Sequence, residues 1–161
     1  MKIFVVYDTV YGNTEKIAEA IKEGVGKEHT VNTIKATQRK PGDLDDLDFL
    51  FVGSPTHGGW YVESIKSLLA GIPENGLEKI STAAFDTGSF KENEGWITKF
   101  FINLFGYASP RIAKALRKLG ASVLSSKTFF VIGMEGPLKE GEEARARAWA
   151  ADLIVKVQGA G

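Results

Sequence analysis

The sequence predicts an α/β fold with a doubly wound, five-stranded parallel sheet. Two observations predict it. Five short and almost continuous apolar runs are spaced along the chain, as expected of strands that are buried on both faces of a sheet. Segments with helical apolar periodicity separate these runs, so that strand and helix alternate. With 161 residues, the chain is expected to form one domain over residues 1–161.

The predicted strands can be placed in order along the chain. They are IFVVY (3–7), TVNTI (30–34), DFLFVG (48–53), STAAFD (81–86) and KTFFVIG (127–133). Right-handed crossovers between parallel strands place helices on both faces of the sheet. Ligands of such sheets bind outside the carboxyl ends of the strands, where the winding reverses. The loops after strands one, three and four are therefore the candidate ligand site.

Two of the helices carry clear patterns. In the first, Ile17, Ile21 and Val25 recur every four residues, and glycines at positions 24 and 26 are expected to end the helix. In the last helix, the predicted buried face consists of Ala144, Ala148, Ala151 and Val155.

The segment GWITKFFINLFGYASP (95–110) is unusually apolar. One interpretation is a helix with a wide buried face, followed by a tight turn. Two other interpretations stay open, because an apolar surface segment is also typical of a dimer contact and of a cover over a ligand or a membrane. A homodimer through residues 95–107 is one possible assembly.

The composition excludes several function classes. The chain has no cysteine, which removes thiol nucleophiles, CxxC redox chemistry and thiolate metal sites, so a redox role needs a cofactor. The formal net charge is zero, without the basic excess expected of a nucleic-acid-binding protein. The first residues lack the pattern of a signal peptide, and no apolar run approaches the ~18 residues of a membrane span. These features predict a cytoplasmic protein without stable membrane insertion.

The loop DTVYGNTE (8–15) joins the first strand to the first helix. Free backbone N–H groups at the start of a helix favour the binding of a phosphate. Thr9, Asn13 and Thr14 offer side-chain hydrogen bonds, and Gly12 allows a close backbone approach or a positive φ. The alternative is an ordinary capped turn, with Asn13 or Thr14 as the N-cap. Neither a P-loop nor a dinucleotide fingerprint is present.

Two further loops offer flat surfaces at strand ends. GSPTHGGWYVES (53–64) contains His57, Trp60 and Tyr61, and FDTGSF (85–90) contains Gly88 and Phe90. The three loops converge in this topology and form a phosphate cradle with two flat walls. Such a site fits a phosphorylated planar heterocycle.

The first loop and its flanks also carry a family pattern. It consists of Val5, Val6, Tyr7, Thr9, Gly12, Thr14, Ala18 and Ile21. These residues occupy every specified position of the flavodoxin signature, and DTVYGNTEKIA with GSPTHGG resembles the flavodoxin domains of A-type flavoproteins. The resemblance implies the strand order 2-1-3-4-5 and FMN bound at the ends of strands one and three. Tyr11 and the neutral charge depart from the family, in which a small hydroxyl residue and an acidic surface are usual.

The resemblance also implies roles for individual residues. Thr9, Gly12, Asn13 and Thr14 would hold the FMN phosphate. His57 and Gly58 would lie beside the flavin ring, with Gly58 changing its peptide orientation on reduction, and Phe90, Trp60 or Trp96 would stack on the ring. The predicted cofactor-binding residues are Thr9, Val10, Tyr11, Gly12, Asn13, Thr14, Ser54, Pro55, Thr56, His57, Gly58, Gly59, Asp86, Thr87, Gly88 and Phe90. No catalytic or metal-binding residue is predicted.

The function implied by the resemblance is electron transfer. FMN would accept electrons from one redox protein and pass them to another, so that the chemistry belongs to the cofactor. The alternative is an FMN-dependent quinone or protoporphyrinogen oxidoreductase, and whether the chain is an enzyme stays open at this point. An FMN domain that serves a separately encoded enzyme subunit is a further possibility. A phosphate-receiving signalling domain is disfavoured, because Gly53, Ser54 and Gly133 stand where it needs an acidic residue and a lysine.

Overall fold

A computed structural model describes residues 1–89 and 95–159 of the chain. Along the described residues the strands and helices follow in this order: β1 (Lys2–Tyr7), α1 (Asn13–Val25), β2 (Thr30–Lys35), β3 (Phe49–Pro55), α2 (Glu63–Ala70), β4 (Ser81–Ser89), α3 (Trp96–Phe105), α4 (Ser109–Lys118), β5 (Ser122–Val131) and α5 (Glu142–Gly159). The predicted alternation is broken twice, because a short 3₁₀ turn (Ala36–Gln38) replaces a helix between β2 and β3, and two helices lie between β4 and β5. The five strands form one sheet in the order β2-β1-β3-β4-β5, and every neighbouring pair is parallel. The predicted fold class and strand order are confirmed. Within the described ranges, every helix is too short or too polar to cross a membrane.

The central strands are buried on both faces and divide the core into two layers. In β3, Phe49 and Phe51 pack on one side of the sheet, whereas Leu50 and Val52 pack on the other. The first layer contains the apolar faces of α1 and α5, and the second contains those of α2 and α4. Successive side chains of a strand point to opposite faces, so a continuous apolar run is what a doubly covered strand requires.

The last strand differs most from its predicted range. It begins at Ser122 instead of residue 127, and it ends at Val131 before Gly133 turns the chain with φ +71°. The strand lies at the edge of the sheet, and the residues of its first half are partly or fully exposed in alternation. Serines at exposed or partly exposed positions interrupt the apolar run, so only the second half of β5, which contains the buried Phe129 and Val131, stands out in the sequence.

Gly24 does not end the first helix. It lies inside α1, and the helix continues to Val25 before Gly26 leaves it with φ +93°. A Cβ atom at position 24 would lie 2.2 Å from the backbone oxygen of Arg147 in α5. The role of Gly24 is therefore to let α1 and α5 approach closely.

We expect Gly24→Ala to lower the free energy of unfolding by about 2 kcal/mol, because the methyl group can be accommodated only if the two helices move apart. The helix propensity of alanine offsets only about 1 kcal/mol of this overpacking cost. Urea denaturation measures the effect. Gly159→Ala at the end of α5, where a Cβ would meet nothing within 4 Å, is the matched control. Equal stability of Gly24→Ala and the native chain would show that the helix contact is not tight.

The predicted face of α5 is wrong. Ala144, Ala148 and Val155 are exposed and Ala151 is only partly buried. The buried residues of the helix are Glu142, Ala146, Trp149, Ala150, Leu153 and Ile154. The prediction followed a stripe of small residues, whereas Trp149, Leu153 and Ile154 bury more apolar surface on the opposite stripe and so decide which side faces the sheet.

The apolar segment 95–107 forms helix α3 and the start of its connection to α4. Trp96, Ile97 and Phe100 are 80, 53 and 57 % exposed, so this part of α3 does not contribute to the core. Ile102 and Tyr107 instead line a cleft at the end of the sheet. A homodimer through this segment stays a prediction.

Candidate functional site

A cleft of about 240 Å³ lies at the carboxyl ends of β1, β3, β4 and β5. The structure brings together twelve of the predicted cofactor-binding residues in its lining: Thr9, Val10, Tyr11, Asn13, Thr14, Pro55, Thr56, His57, Gly58, Gly59, Thr87 and Gly88. These residues come from the carboxyl ends of β3 and β4, from the loops after β1 and β3, and from the start of α1. The cleft therefore occupies the position at which doubly wound sheets bind their ligands.

The loop after β1 presents unpaired N–H groups at the start of α1. Gly12 is the N-cap with φ +84°, and its N–H donates to Oγ1 of Thr9 at 2.9 Å. Lys16 makes the first helical hydrogen bond, to the carbonyl of Gly12 at 3.2 Å. Within residues 1–89 and 95–159, the N–H groups of Asn13 and Thr14 have no acceptor. Such a helix start favours an anion.

The capped-turn alternative is not what the loop forms. No side chain caps α1, and neither Asn13 nor Thr14 is the N-cap residue. Asn13 Nδ2 donates to the carbonyl of Glu135 at 2.7 Å, and the hydroxyls of Thr14 and Thr87 lie 2.8 Å apart. The two side chains thus connect the first loop to the loops after β5 and β4, while their backbone N–H groups stay free for a ligand.

The loop after β3 closes as a two-residue hairpin turn. The N–H of His57 donates to the carbonyl of Trp60 and the N–H of Trp60 to that of His57, both at 2.9 Å. Gly58 and Gly59 have φ of +55° and +80°, and positive φ at both central positions is typical of a type I′ turn. The two glycines therefore permit the turn that forms this wall of the cleft.

Arg111 of α4 holds the same turn from outside. Its Nε donates to the carbonyl of Gly59 at 2.8 Å, and its guanidinium lies 4.2 Å from the centre of the Trp60 ring. Trp60 is 52 % exposed and is not part of the cleft lining. Its ring therefore stacks on Arg111 and does not face the cleft. Trp96 is also absent from the lining, and Phe90 lies outside the described residues.

Of the predicted residues that the structure describes, three lie outside the lining. Gly12 forms the N-cap behind the loop, and Ser54 is fully buried, accepting from the N–H of Val62 at 3.0 Å. Asp86 is fully buried below the cleft. These positions support the walls of the cleft without lining it.

Asp86 joins the ends of three strands. Its carboxylate accepts hydrogen bonds from the hydroxyl of Thr56, from Oγ1 of Thr128 at 2.8 Å and from the N–H of Ala108 at 3.2 Å. Burial raises the pKa of Asp86 above its ordinary value, and the hydrogen bonds from Thr56, Ser109, Thr128 and Ala108 oppose this rise. Because Thr56 lines the cleft, Asp86 fixes part of the cleft wall from inside the core.

The sequence did not predict six residues of the lining: Ser89, Ile102, Gly106, Tyr107, Val131 and Met134. Tyr107 donates from its hydroxyl to the carbonyl of Ser89 at 3.1 Å, and a Cβ at position 88 would lie 2.7 Å from its ring. Gly88 is thus required by the close approach of Tyr107. The signal in the sequence was the apolar segment 95–107, of which Ile102 and Tyr107 line the cleft. A cover over a ligand stays a prediction for this segment.

The chemistry of the cleft is that of a binding site. One end offers free N–H groups and the hydroxyl side chains of Thr9 and Thr14, whereas the other is lined by apolar side chains and glycine backbone. In the described part of the chain, no three His, Cys, Asp or Glu side chains come together in a metal site. The arrangement suits a phosphate monoester attached to a flat apolar group.

Comparison with known proteins identifies the family and the fold. The family model described as Flavodoxin matches residues 5–149. A flavodoxin from the domain Archaea is 23 % identical with a TM-score of 0.71, covering 98 % of this chain and 99 % of its own. Flavodoxin 1 from Bacillus cereus is 17 % identical with a TM-score of 0.76, covering 97 % and 98 %. The flavodiiron protein from Giardia intestinalis is 19 % identical with a TM-score of 0.72, over 98 % of this chain and 36 % of its own.

At these sequence identities the solved structures show only a shared fold. The match to the family model assigns the chain to a family. Its match extends from β1 into α5 and so includes all the loops of the cleft. The chain belongs to the flavodoxin family.

Proposed function

We propose that this chain binds FMN in the cleft and carries electrons between redox proteins. Proteins of the flavodoxin family bind FMN and take part in electron transfer. The observation that carries the proposal is the start of α1, where unpaired N–H groups and two threonine hydroxyls lie at one end of a cleft large enough for a flat ring. Within a flavodoxin fold, this arrangement fits the phosphate and the ring of one FMN molecule.

The residues that would hold the phosphate are Thr9, Asn13 and Thr14. Asn13 and Thr14 contribute backbone N–H groups, and the hydroxyls of Thr9 and Thr14 are within the lining. The loop contains no lysine or arginine, so neutral donors and the helix dipole would do the binding. Thr9 also accepts the N–H of Gly12 and thereby holds the loop in the shape that exposes the other donors.

The residues that would hold the ring are the turn 57–59 on one side and Tyr107 on the other. Both line the cleft, and each is held by a hydrogen bond, the turn by Arg111 from outside the cleft and the tyrosine by the carbonyl of Ser89. Predicted stacking by Phe90 or Trp60 is replaced in this proposal by Tyr107, the aromatic side chain that approaches Gly88. The predicted reorientation of the Gly58 peptide remains part of the proposal, and its φ of +55° and open surroundings favour it.

FMN supplies the redox chemistry when it is bound, and the chain contributes binding, orientation and exclusion of water. The predicted alternative of a quinone or protoporphyrinogen oxidoreductase receives no support from the comparisons. The cytoplasmic location and the protein partners stay predictions.

We expect the purified chain to bind FMN at least 100-fold more tightly than riboflavin, because the phosphate gains charge-assisted hydrogen bonds worth about 3 kcal/mol in total. Quenching of flavin fluorescence on titration measures both affinities. AMP is the control for a site that recognises any phosphate monoester. Equal affinities for FMN and riboflavin would show that the start of α1 does not bind the phosphate, and tight AMP binding would contradict a flavin site.

A further inference from the structure

A buried carboxyl group lies beneath the proposed FMN site and is connected to it by one hydroxyl group. Asp86 at the end of β4 is fully buried, and its Oδ2 accepts a hydrogen bond from the hydroxyl of Thr56. Thr56 lines the cleft and directly precedes the turn 57–59, which forms one wall. A Cβ atom at position 88 would lie 3.6 Å from Cβ of Thr56 and 2.7 Å from the ring of Tyr107 on the other wall. Thr56 therefore lies between the two walls of the cleft.

The hydroxyl of Thr56 has a single hydrogen-bonding direction left for a ligand. A hydroxyl group can donate one hydrogen bond and accept two. An ionised Asp86 can only accept, so the Thr56 hydroxyl donates to it. The N–H of Ala108 donates to Oγ1 of Thr56 at 2.9 Å and fills one of its acceptor positions. Because Asp86 and Ala108 are fully buried, the second acceptor position is the one that remains on the side of the cleft.

Protonation of Asp86 reverses this pattern. A protonated Oδ2 donates to Oγ1 of Thr56, so that Asp86 and Ala108 together fill both acceptor positions of the hydroxyl. The hydroxyl hydrogen of Thr56 is then released and takes the remaining direction, on the side of the cleft. The same side chain thus offers a ligand an acceptor when the carboxyl is ionised and a donor when the carboxyl is neutral.

The contacts of Asp86 favour a proton on Oδ2 over a proton on Oδ1. Oδ1 accepts the hydroxyl of Thr128 at 2.8 Å. A proton on Oδ1 would displace that hydroxyl hydrogen toward Oγ of Ser109, which is 3.4 Å away and beyond the ordinary length of an O–H···O hydrogen bond. A proton on Oδ2 instead displaces the hydroxyl hydrogen of Thr56, which a ligand in the cleft can accept. A bound ligand with an acceptor atom therefore favours protonation at Oδ2.

The hydrogen bonds to the Asp86 carboxyl come from uncharged groups. Burial raises the pKa of Asp86, and the donors that oppose this rise are three hydroxyl groups and one backbone N–H. The charged and titratable side chains on the elements around Asp86 are His57 of the turn, Arg111 of α4, Lys127 of β5 and Arg145 of α5. The causes that shift the pKa are burial and the hydrogen bonds. A ligand that changes the hydrogen bonding of Thr56 therefore acts directly on the protonation of Asp86.

We propose that Asp86 and Thr56 link proton binding to flavin binding, with Thr56 donating a hydrogen bond to the oxidised flavin ring when Asp86 is protonated. The proposal rests on the proposed FMN site and adds the residue that sets how its wall bonds to the cofactor. The polar edge of an oxidised flavin ring carries several acceptor atoms and a single N–H donor, so a donor matches it better than an acceptor. By linkage, a bound flavin increases the proton affinity of Asp86 by the factor by which protonation increases the flavin affinity. The proton comes from solvent and returns to it.

The test measures the Kd of riboflavin for the full chain by fluorescence quenching, from about pH 4 to about pH 8. Riboflavin is the probe because the second pKa of a phosphate monoester is about 6, so that FMN changes its own charge within this range. For the native chain, we expect the Kd to rise about 10-fold as the pH increases through the folded pKa of Asp86, because one hydrogen bond is lost. Thr56→Val removes the hydroxyl and keeps the carboxyl, and its Kd should not change with pH.

Matched variants identify the groups responsible for the pH response. Asp86→Asn should abolish it, whereas Asp152→Asn, which removes an exposed carboxylate, should keep it. Thr82→Val is the control for the loss of a hydroxyl, because Thr82 is fully buried at the opposite end of β4 and donates to the carbonyl of Ser122 at 3.5 Å. His57→Gln removes the ionisable side chain beside Thr56 and should also keep the response.

Carbon-13 NMR of the aspartate carboxyl groups gives a second measurement, with the Asp86 signal assigned by its absence from Asp86→Asn. Saturating riboflavin should raise the pKa of Asp86 in the native chain and leave it unchanged in Thr56→Val. Riboflavin binding that is independent of pH, or a pH response that persists in Thr56→Val, would overturn the proposal while tight FMN binding leaves the proposed function in place. A native chain that binds neither FMN nor riboflavin would overturn the proposed function and the proton linkage together.

Discussion

The double substitution Gly12→Val with Thr14→Val is expected to weaken FMN binding by at least 1,000-fold while the chain stays folded. Gly12 holds φ +84°, a conformation that a β-branched residue adopts only at a cost of about 1–3 kcal/mol. The backbone of the loop is expected to leave this strained conformation, which moves the N–H groups at the start of α1 away from the phosphate. The second substitution removes the Thr14 hydroxyl from the cleft at nearly constant side-chain volume. Fluorescence titration measures the affinity, and circular dichroism reports the fold.

The chain offers a close control for this experiment. Gly141 also has φ +84° with no atom within 4 Å of an added Cβ, and its carbonyl accepts the first helical hydrogen bond of α5 from Arg145 at 2.9 Å. Gly141→Val therefore introduces the same backbone strain at a helix start outside the cleft lining. Thr33→Val removes a hydroxyl that donates to Glu19 on the surface. The pair Gly141→Val and Thr33→Val should lose stability and keep FMN, whereas tight FMN binding by the Gly12 and Thr14 variant would refute the phosphate site.

The parts of the site that the sequence predicted are those set by local chemistry. The positive φ at Gly12 follows from its residue type and its position between a strand and a helix. The strand order came from the family resemblance, because the signature residues surround the first loop. Asp86 was assigned to the cofactor on position alone. Nothing local in the sequence shows that its side chain turns into the core and bonds to residues 22 and 42 positions away.

The parts that the sequence did not predict depend on which elements pack together. The buried side of α5 is decided by Trp149, which contacts the rings of Phe51 and Phe129 from two different strands. Tyr107 reaches the cleft because the connection from α3 to α4 passes over the end of β4 at Gly88. Helical periodicity predicts neither contact, because it gives the spacing of the apolar residues on a helix and not the surface against which they pack.

Asp86→Asn is expected to make the protein more stable than the native chain as the pH rises above about 4, the ordinary range of a carboxyl pKa. The pKa of Asp86 is raised in the folded chain by burial, so the folded state holds a proton that the unfolded state has already released. The stability contributed by the neutral form is present below the ordinary value of 3.8 and is lost as the pH rises through the folded pKa. Between pH 3.8 and the folded pKa, the free energy of unfolding of the native chain should fall by about 1.4 kcal/mol per pH unit relative to that of the variant. Above the folded pKa, the difference between the two proteins should stay constant.

The asparagine can keep the contacts that the carboxylate makes. Its oxygen can accept from the N–H of Ala108 and the hydroxyl of Thr56, and its amide can donate to Oγ1 of Thr128, because a hydroxyl both donates and accepts. Urea denaturation of both proteins from pH 3.5 to 8 measures the difference, and Asp152→Asn controls for the loss of one exposed negative charge. A native chain that gains stability over the variant with rising pH would mean that Asp86 is held ionised by its four donors. In that case, a buried negative charge would lie directly beneath Thr56 in the wall of the flavin cleft and would disfavour further negative charge on the bound cofactor.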